Sequence, residues 1–153
     1  MRTFLTVTII LVIFTSFKPG EPIATLRCQS QSGRTIFIAT LPSCSYLEKA
    51  ELNIDGSKLS FVAEDRAHII FDPDNKVLTV FLQSKSDDPK EYKFLKFWAL
   101  PVTFKKIKSE KGSGSQFHDT YDFHAKMYAT EPRKVAEPDT KTIELICTLD
   151  YEL

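Results

Sequence analysis

The residues with the most definite chemistry are three cysteines, Cys28, Cys44 and Cys147. An odd count leaves one thiol unpaired or paired with another chain. Cys28 and Cys147 lie on the apolar side of alternating stretches near the two ends of the chain. Because the first and last strands of a closed sheet are often neighbours, we predict a Cys28–Cys147 disulfide. The alternatives are a bridge from Cys44 to either of the others, or inward cysteines that are reduced and packed.

A histidine-containing stretch, FHDTYDFH at residues 117–124, could bind a metal ion. On a strand, Asp122 and His124 point the same way about 7 Å apart, whereas His118 on that face is about 13 Å from Asp122. Two ligands need a third from elsewhere, and His68 is the candidate. The sequence favours an ordinary polar strand face, so we assign no metal and keep Asp122 and His124 as weak candidates.

Four lysines surround a stretch rich in glycine and serine: Lys105, Lys106, Lys108 and Lys111. Such a cluster could bind an acidic partner. It could also keep a strand edge soluble, because charged side chains oppose edge-to-edge pairing. The second interpretation is the commoner one, and the first stays open.

Residues 91–100 (EYKFLKFWAL) hold a concentration of aromatic side chains. Phe94, Phe97 and Trp98 could line a cavity for a small apolar ligand inside a barrel. Large aromatic side chains also fill ordinary cores, and that is the interpretation that the sequence favours.

No catalytic pattern is supported by its context. The chain has no glycine-rich phosphate loop, no Gly-x-Ser-x-Gly and no Cys-x-x-Cys pair. Cys44 has no histidine nearby in sequence to activate it as a nucleophile. We therefore predict a protein that is not an enzyme and has no cofactor, with His118, Asp122 and His124 as the residues of an enzyme alternative.

The segments that position these residues read as strands. Residues 142–153 (TIELICTLDYEL) alternate apolar and polar side chains, which predicts a strand with one buried face. Hairpin turns are predicted at residues 31–33, at Asp55-Gly56 and at residues 72–75. Further predicted strands cover residues 91–100, 102–108 and 116–130, and a flexible connection covers residues 109–115. A short helix at residues 46–51 is the alternative to a strand there.

The count of strands predicts the fold class. About eight to ten short strands at close spacing, with no sustained helical periodicity, indicate an all-β fold. We predict a single-domain antiparallel β-barrel or β-sandwich over residues 21–153.

The first twenty residues predict export. A positive start at Arg2 and an apolar run to Phe17 resemble a secretory signal peptide, cleaved between residues 16 and 24, with an uncleaved anchor as the alternative. Removing residues 1–20 lowers Lys+Arg from 20 to 18 against 20 Asp+Glu, a net charge of −2. This near-neutral balance argues against nucleic acid as a partner. We expect a periplasmic or secreted protein that is not integral to the membrane once processed.

These observations favour an exported, non-catalytic binding module whose partner is a protein or a component of the cell envelope. The loops at residues 42–46, 84–90 and 109–115 are its expected contact sites. Alternatives are a barrel that carries a small apolar ligand and an inhibitor of a hydrolase. Bacterial lysozyme-inhibitor barrels are similar in size, export and an early-strand cysteine, which is an analogy of architecture. Lipocalins share the small exported barrel, but their Gly-x-Trp near the first strand is missing here.

Overall fold

A computed structural model describes residues 23–42, 46–86, 88, 92–112, 116–130 and 142–152. Several predicted features lie wholly or partly outside the described residues. They are the signal peptide at residues 1–20, Cys44 within its loop, the connector at residues 131–139, and parts of the loops at residues 84–90 and 109–115.

The described chain is built from ten strands and one 3-10 turn at Pro101–Thr103. The strands are β1 (Ile23–Gln29), β2 (Thr35–Pro42), β3 (Lys49–Ile54), β4 (Ser57–Val62), β5 (Arg66–Asp72), β6 (Val77–Gln83), β7 (Phe94–Ala99), β8 (Lys105–Lys111), β9 (Phe117–Ala129) and β10 (Ile143–Glu152). The all-β prediction is confirmed. No helix of the described residues is long and apolar enough to cross a membrane.

The strands form one antiparallel sheet that curls into a half-barrel. Its order is β4-β3-β2-β1-β10-β9-β7-β6-β5, and β8 also pairs with β9. The sequence left a barrel and a sandwich open, and the described strands form one continuous sheet that closes only as far as a half-barrel. The first and last strands are neighbours, as predicted, because β1 pairs with β10 along its whole length.

Tight turns connect the predicted hairpins. At the β3–β4 turn, Asp55 and Gly56 have φ values of 50° and 81°. Two successive positive φ angles match the twist of a two-residue hairpin, which is why Asp-Gly is favoured there. The β1–β2 and β5–β6 pairs are also formed at the predicted places. The helical alternative at residues 46–51 is wrong, because Lys49 already begins β3.

The longest strand, β9, is shared by two shorter ones on the same edge. β7 pairs with its second half and β8 with its first half, and the 3-10 turn separates them. Pro101 begins that turn, since proline lacks the N–H that a continuous ladder would need. β8 therefore starts later than predicted and runs on to Lys111, into the segment that was expected to be a flexible connection.

The core lies on the inward face of the half-barrel. Alternate residues of each strand except β8 point into it, so the period-two pattern of the sequence becomes one continuous apolar layer. The largest fully buried rings are Phe37, Phe61, Phe97 and Phe123. Phe97 lies between Phe37 and Phe123, with ring centroids 5.7 and 6.4 Å away.

A disulfide joins Cys28 and Cys147 inside this core. The two residues are directly opposite each other in the β1–β10 ladder, with Cα atoms 4.1 Å apart. Both side chains are buried. The predicted pairing is thus present, and it connects the first strand of the sheet to the last. A disulfide is compatible with an exported protein.

Candidate binding surface

The aromatic candidates of residues 91–100 do not share one face. Phe97 points inward and is buried, whereas Phe94 and Trp98 point outward and are partly exposed. Successive side chains of a strand alternate between its two faces, so the side chain of residue 97 lies on the opposite face from those of residues 94 and 98. The three rings therefore cannot line one cavity together.

Phe94 and Trp98 instead belong to a group of outward rings that we call the aromatic face. Its members are Phe81, Phe94, Trp98 and Tyr128, with Tyr92 at its margin. Strand register places these rings on neighbouring strands of one face: Phe81 and Tyr128 lie on either side of Lys96 in the three-strand ladder β6-β7-β9. Phe94 and Tyr128 have ring centroids 5.3 Å apart, and Tyr92 continues the row 6.2 Å from Phe94.

Cationic side chains lie between the rings. Lys96 places its Nζ 5.6 Å from the centroid of the Trp98 ring, within the range of a cation–π contact. Lys126 is opposite Trp98 in the ladder, and its Nζ lies 3.8 Å from the Glu144 carboxylate on β10. The charged residues that point outward from β6, β7 and the second half of β9 are thus cationic.

The other half of the outward surface is different. Outward positions of β1, β2, β3, β4 and β10 carry no aromatic ring among the described residues. Their largest exposed apolar side chains are aliphatic, such as Ile36, Ile38 and Ile146. An antiparallel sheet with one solvated face is expected to be polar there. The outward rings are thus concentrated on one half of the described surface.

The metal candidates do not form a complete site. Asp122 and His124 both point outward from β9, and Asp122 accepts a hydrogen bond from Thr148 at 2.9 Å. His118 Nε2 lies 3.8 Å from Asp150. His68 stands on β5, three strands from β9, so it cannot supply the third ligand. The described residues contain no group of three possible metal ligands.

The lysine cluster maps to β8, and one of its members joins a polar cluster at the inner face. Asp119 of β9 is buried, and its carboxylate accepts hydrogen bonds from Lys106 Nζ at 2.7 Å, from Ser109 Oγ at 2.6 Å and from the Tyr121 hydroxyl at 3.2 Å. Lys106 and Ser109 both belong to β8. We call these four residues the Asp119 cluster, and they attach β8 to β9.

The charges of the Asp119 cluster favour a structural role. Burial raises the pKa of the Asp119 carboxyl, but the hydrogen bonds from Lys106, Ser109 and Tyr121 outweigh burial, and its pKa is lowered overall. The same contact with Asp119 raises the pKa of Lys106. Burial, with the charge of Asp119, raises the pKa of the Tyr121 hydroxyl. The ionised carboxylate thus holds Lys106 and Ser109 of β8 against β9.

Sequence reasoning missed both the Asp119 cluster and the aromatic face. The alternation of β9 places Asp119 among inward residues, so an acidic side chain at an apolar position was the available signal. For the aromatic face the signal was the even spacing of Phe94 and Trp98, which places both side chains on one face of β7, whereas Phe97 lies on the other face. Their partners, Phe81 and Tyr128, depend on strand pairing that the sequence does not display.

Comparisons with known proteins give no likeness to report. No family model matches the chain, and neither the curated proteins nor the solved structures include a significant match.

Proposed function

We propose that this protein is an exported, non-catalytic binding module that contacts a protein partner through its aromatic face. The observation that carries the proposal is the one-sided distribution of outward rings over β6, β7 and β9. The centres of protein interfaces are enriched in Trp, Tyr and Phe, and a few such rings supply most of the binding energy. Lys96 and Lys126 suit a partner surface with an apolar centre and acidic neighbours.

The proposed binding surface differs from the one that the sequence suggested. The loops at residues 42–46, 84–90 and 109–115 were the expected contact sites, and part of each loop lies outside the described residues. The aromatic face is supported by register and ring distances. Strands also hold side chains more rigidly than loops, which reduces the entropy lost on binding.

Export is supported by the Cys28–Cys147 bridge, since disulfides persist in oxidising compartments. The apolar start of the sequence is the second support. The finer assignment, a cleaved signal and a periplasmic or secreted protein, is part of this proposal. It is tested by the N-terminal sequence of the protein recovered outside the cytoplasm, which we expect to begin between residues 16 and 24.

The carrier alternative has less support. A small apolar ligand inside the half-barrel would have to displace Phe97, which packs between Phe37 and Phe123. Inhibition of a hydrolase is one version of the binding module, in which the hydrolase is the partner.

The test is capture of a partner by paired variants of the oxidised protein. The face variant carries Phe81→Ser and Trp98→Ser. The matched control carries Ile36→Ser and Ile38→Ser, which remove two exposed apolar side chains from the other half of the outward surface. We expect the wild type and the control to retain the same protein from an extract of the cell envelope, and the face variant to lose it.

A purified partner allows a direct measurement, because Trp98 is the sole tryptophan of the chain. Its emission should shift to shorter wavelength when the partner excludes water from the aromatic face. Equal loss of capture by the two variants, or capture that neither variant affects, would contradict the proposal. Far-ultraviolet circular dichroism of all three proteins checks that the sheet is intact.

A further inference from the structure

The free edge of β8 is a surface separate from the aromatic face. β8 pairs with β9 along one edge, and no described strand pairs with its other edge. β6 pairs with β7, and the last paired residues on the side towards β8 are Thr79 and Trp98. The ladder between β6 and β7 therefore ends before β8 begins.

The whole of β8 is accessible. All seven of its residues are exposed, unlike those of any other strand of the sheet. An edge strand presents a row of N–H and C=O groups that can pair with another extended chain. The Asp119 cluster holds β8 against β9 through Lys106 and Ser109, so this edge is already ordered before anything binds.

The charge of β8 selects the chain that could pair with it. The strand carries four lysines and one glutamate, a net charge of +3. Lys106 and Lys108 have carboxylate partners, Asp119 and Glu110. Lys105 and Lys111, near the two ends of the strand, make no ion pair with any described residue. A second copy of β8 would bring lysines opposite lysines, which is destabilising.

A groove next to the start of β8 belongs to the other side of the strand. It is lined by Asp122 and His124 of β9 and by Ile146 of β10, together with Val102 and Ile107. It therefore lies away from the free edge, and a chain paired with that edge does not reach it. In strand addition, main-chain hydrogen bonds supply affinity, and here the lysines of β8 would supply the selectivity for an acidic chain.

We propose that β8 is a strand-addition site for an extended acidic segment of a protein partner, which pairs with the free edge and neutralises Lys105 and Lys111.

The test uses two synthetic peptides with the same alternating pattern, one of glutamate and valine and the other of lysine and valine. Each is labelled with a fluorophore and titrated with the oxidised full chain. We expect saturable binding of the acidic peptide and none of the basic one. Hydrogen exchange should show new protection of backbone amides in β8 when the acidic peptide is bound. Affinity should fall as salt rises, because the contacts are exposed.

A pair of charge-reversal variants separates this site from general attraction. Lys105→Glu with Lys111→Glu should lower the affinity for the acidic peptide about tenfold or more. Lys58→Glu with Lys85→Glu makes the same change in net charge at exposed lysines elsewhere and should leave affinity within about twofold.

Three results would overturn the inference. The first is the absence of binding up to about 1 mM peptide, in which case the lysines only guard the edge against pairing. The second is equal loss of affinity in both charge-reversal variants. The third is binding without new protection in β8. None of these results bears on the aromatic face, whose test uses different variants.

Discussion

At the scale of single residues, Asp119 links an otherwise fully exposed strand to the sheet. It is buried on the inward face of β9, and two of its three hydrogen-bond donors come from β8. An unpaired carboxylate at this position would be costly, because burial disfavours its charge. The contacts from Lys106 and Ser109 remove that cost and fix the position of β8.

Replacing this carboxylate should loosen β8. We expect Asp119→Asn to lower the free energy of unfolding by about 1–3 kcal/mol, because the amide loses the charge that pairs with Lys106. Asp122→Asn is the control, since Asp122 is an exposed outward residue of the same strand with one hydrogen bond from Thr148. Urea unfolding at neutral pH measures both. An equal loss of unfolding free energy in the two variants would show that the Asp119 cluster stabilises the fold no more than an exposed hydrogen bond does.

The same carboxyl makes stability depend on pH in a defined direction. The folded pKa of Asp119 lies below its ordinary value of 3.8, so its contribution is complete well above that pH and is lost as the pH falls towards the folded pKa. Its neighbours Lys106 and Tyr121, whose pKa values are raised, stay protonated throughout. The wild type should therefore lose more stability than Asp119→Asn between about pH 5 and pH 2, as measured by urea unfolding at each pH. Parallel losses would contradict this assignment.

At the scale of elements, turns were predictable and strand boundaries were less so. Asp55-Gly56 specifies the β3–β4 turn locally, because few residue pairs tolerate two positive φ angles. The division of β7 from β8 was only partly visible at Pro101, because both strands pair with β9 and that pairing is between distant residues. The bulge between Lys106 and Lys108 also shifts the register in β8, so the partners of Asp119 could not be inferred from spacing.

The β3–β4 turn offers a matched glycine pair for a test. Gly56 has a φ of 81°, and Gly56→Ala should cost about 1–2 kcal/mol because a Cβ is disfavoured in that conformation. Gly112, at the end of β8, does not have a positive φ, and an added Cβ would make ordinary contacts with Gln116. Gly112→Ala should therefore cost less. Thermal unfolding of both variants gives the comparison, and a larger loss from Gly112→Ala would contradict it.

At the scale of the whole molecule, alternation predicted the sheet but not its outward surface. The inward positions of Cys28 and Cys147 followed from period-two patterns at the two ends of the chain, and β1 and β10 are indeed paired. Whether the sheet forms a barrel or a sandwich could not be inferred, because both present the same alternation along each strand. The aromatic face was hidden for a related reason: it joins rings from three strands.

The disulfide should account for a large part of stability. It spans a sequence separation of 119 residues, and Cys28→Ser with Cys147→Ser should lower the free energy of unfolding by up to about 4–5 kcal/mol in the chain-entropy account. Cys44→Ser is the control and should leave the bridge intact. Intact mass without reductant should be two hydrogens below the reduced mass in the wild type and in Cys44→Ser. A full reduced mass in the wild type would contradict the pairing.

The most direct test of the binding-module proposal is photo-crosslinking from the aromatic face in living cells. A photoreactive phenylalanine analogue is placed at position 98 in one strain and at position 38, on the other half of the outward surface, in a second strain. We predict one discrete protein adduct from position 98, absent from position 38 and lost when Phe81→Ser is added. An adduct of equal yield at both positions, or none at position 98, would contradict the proposal that this face binds a protein partner.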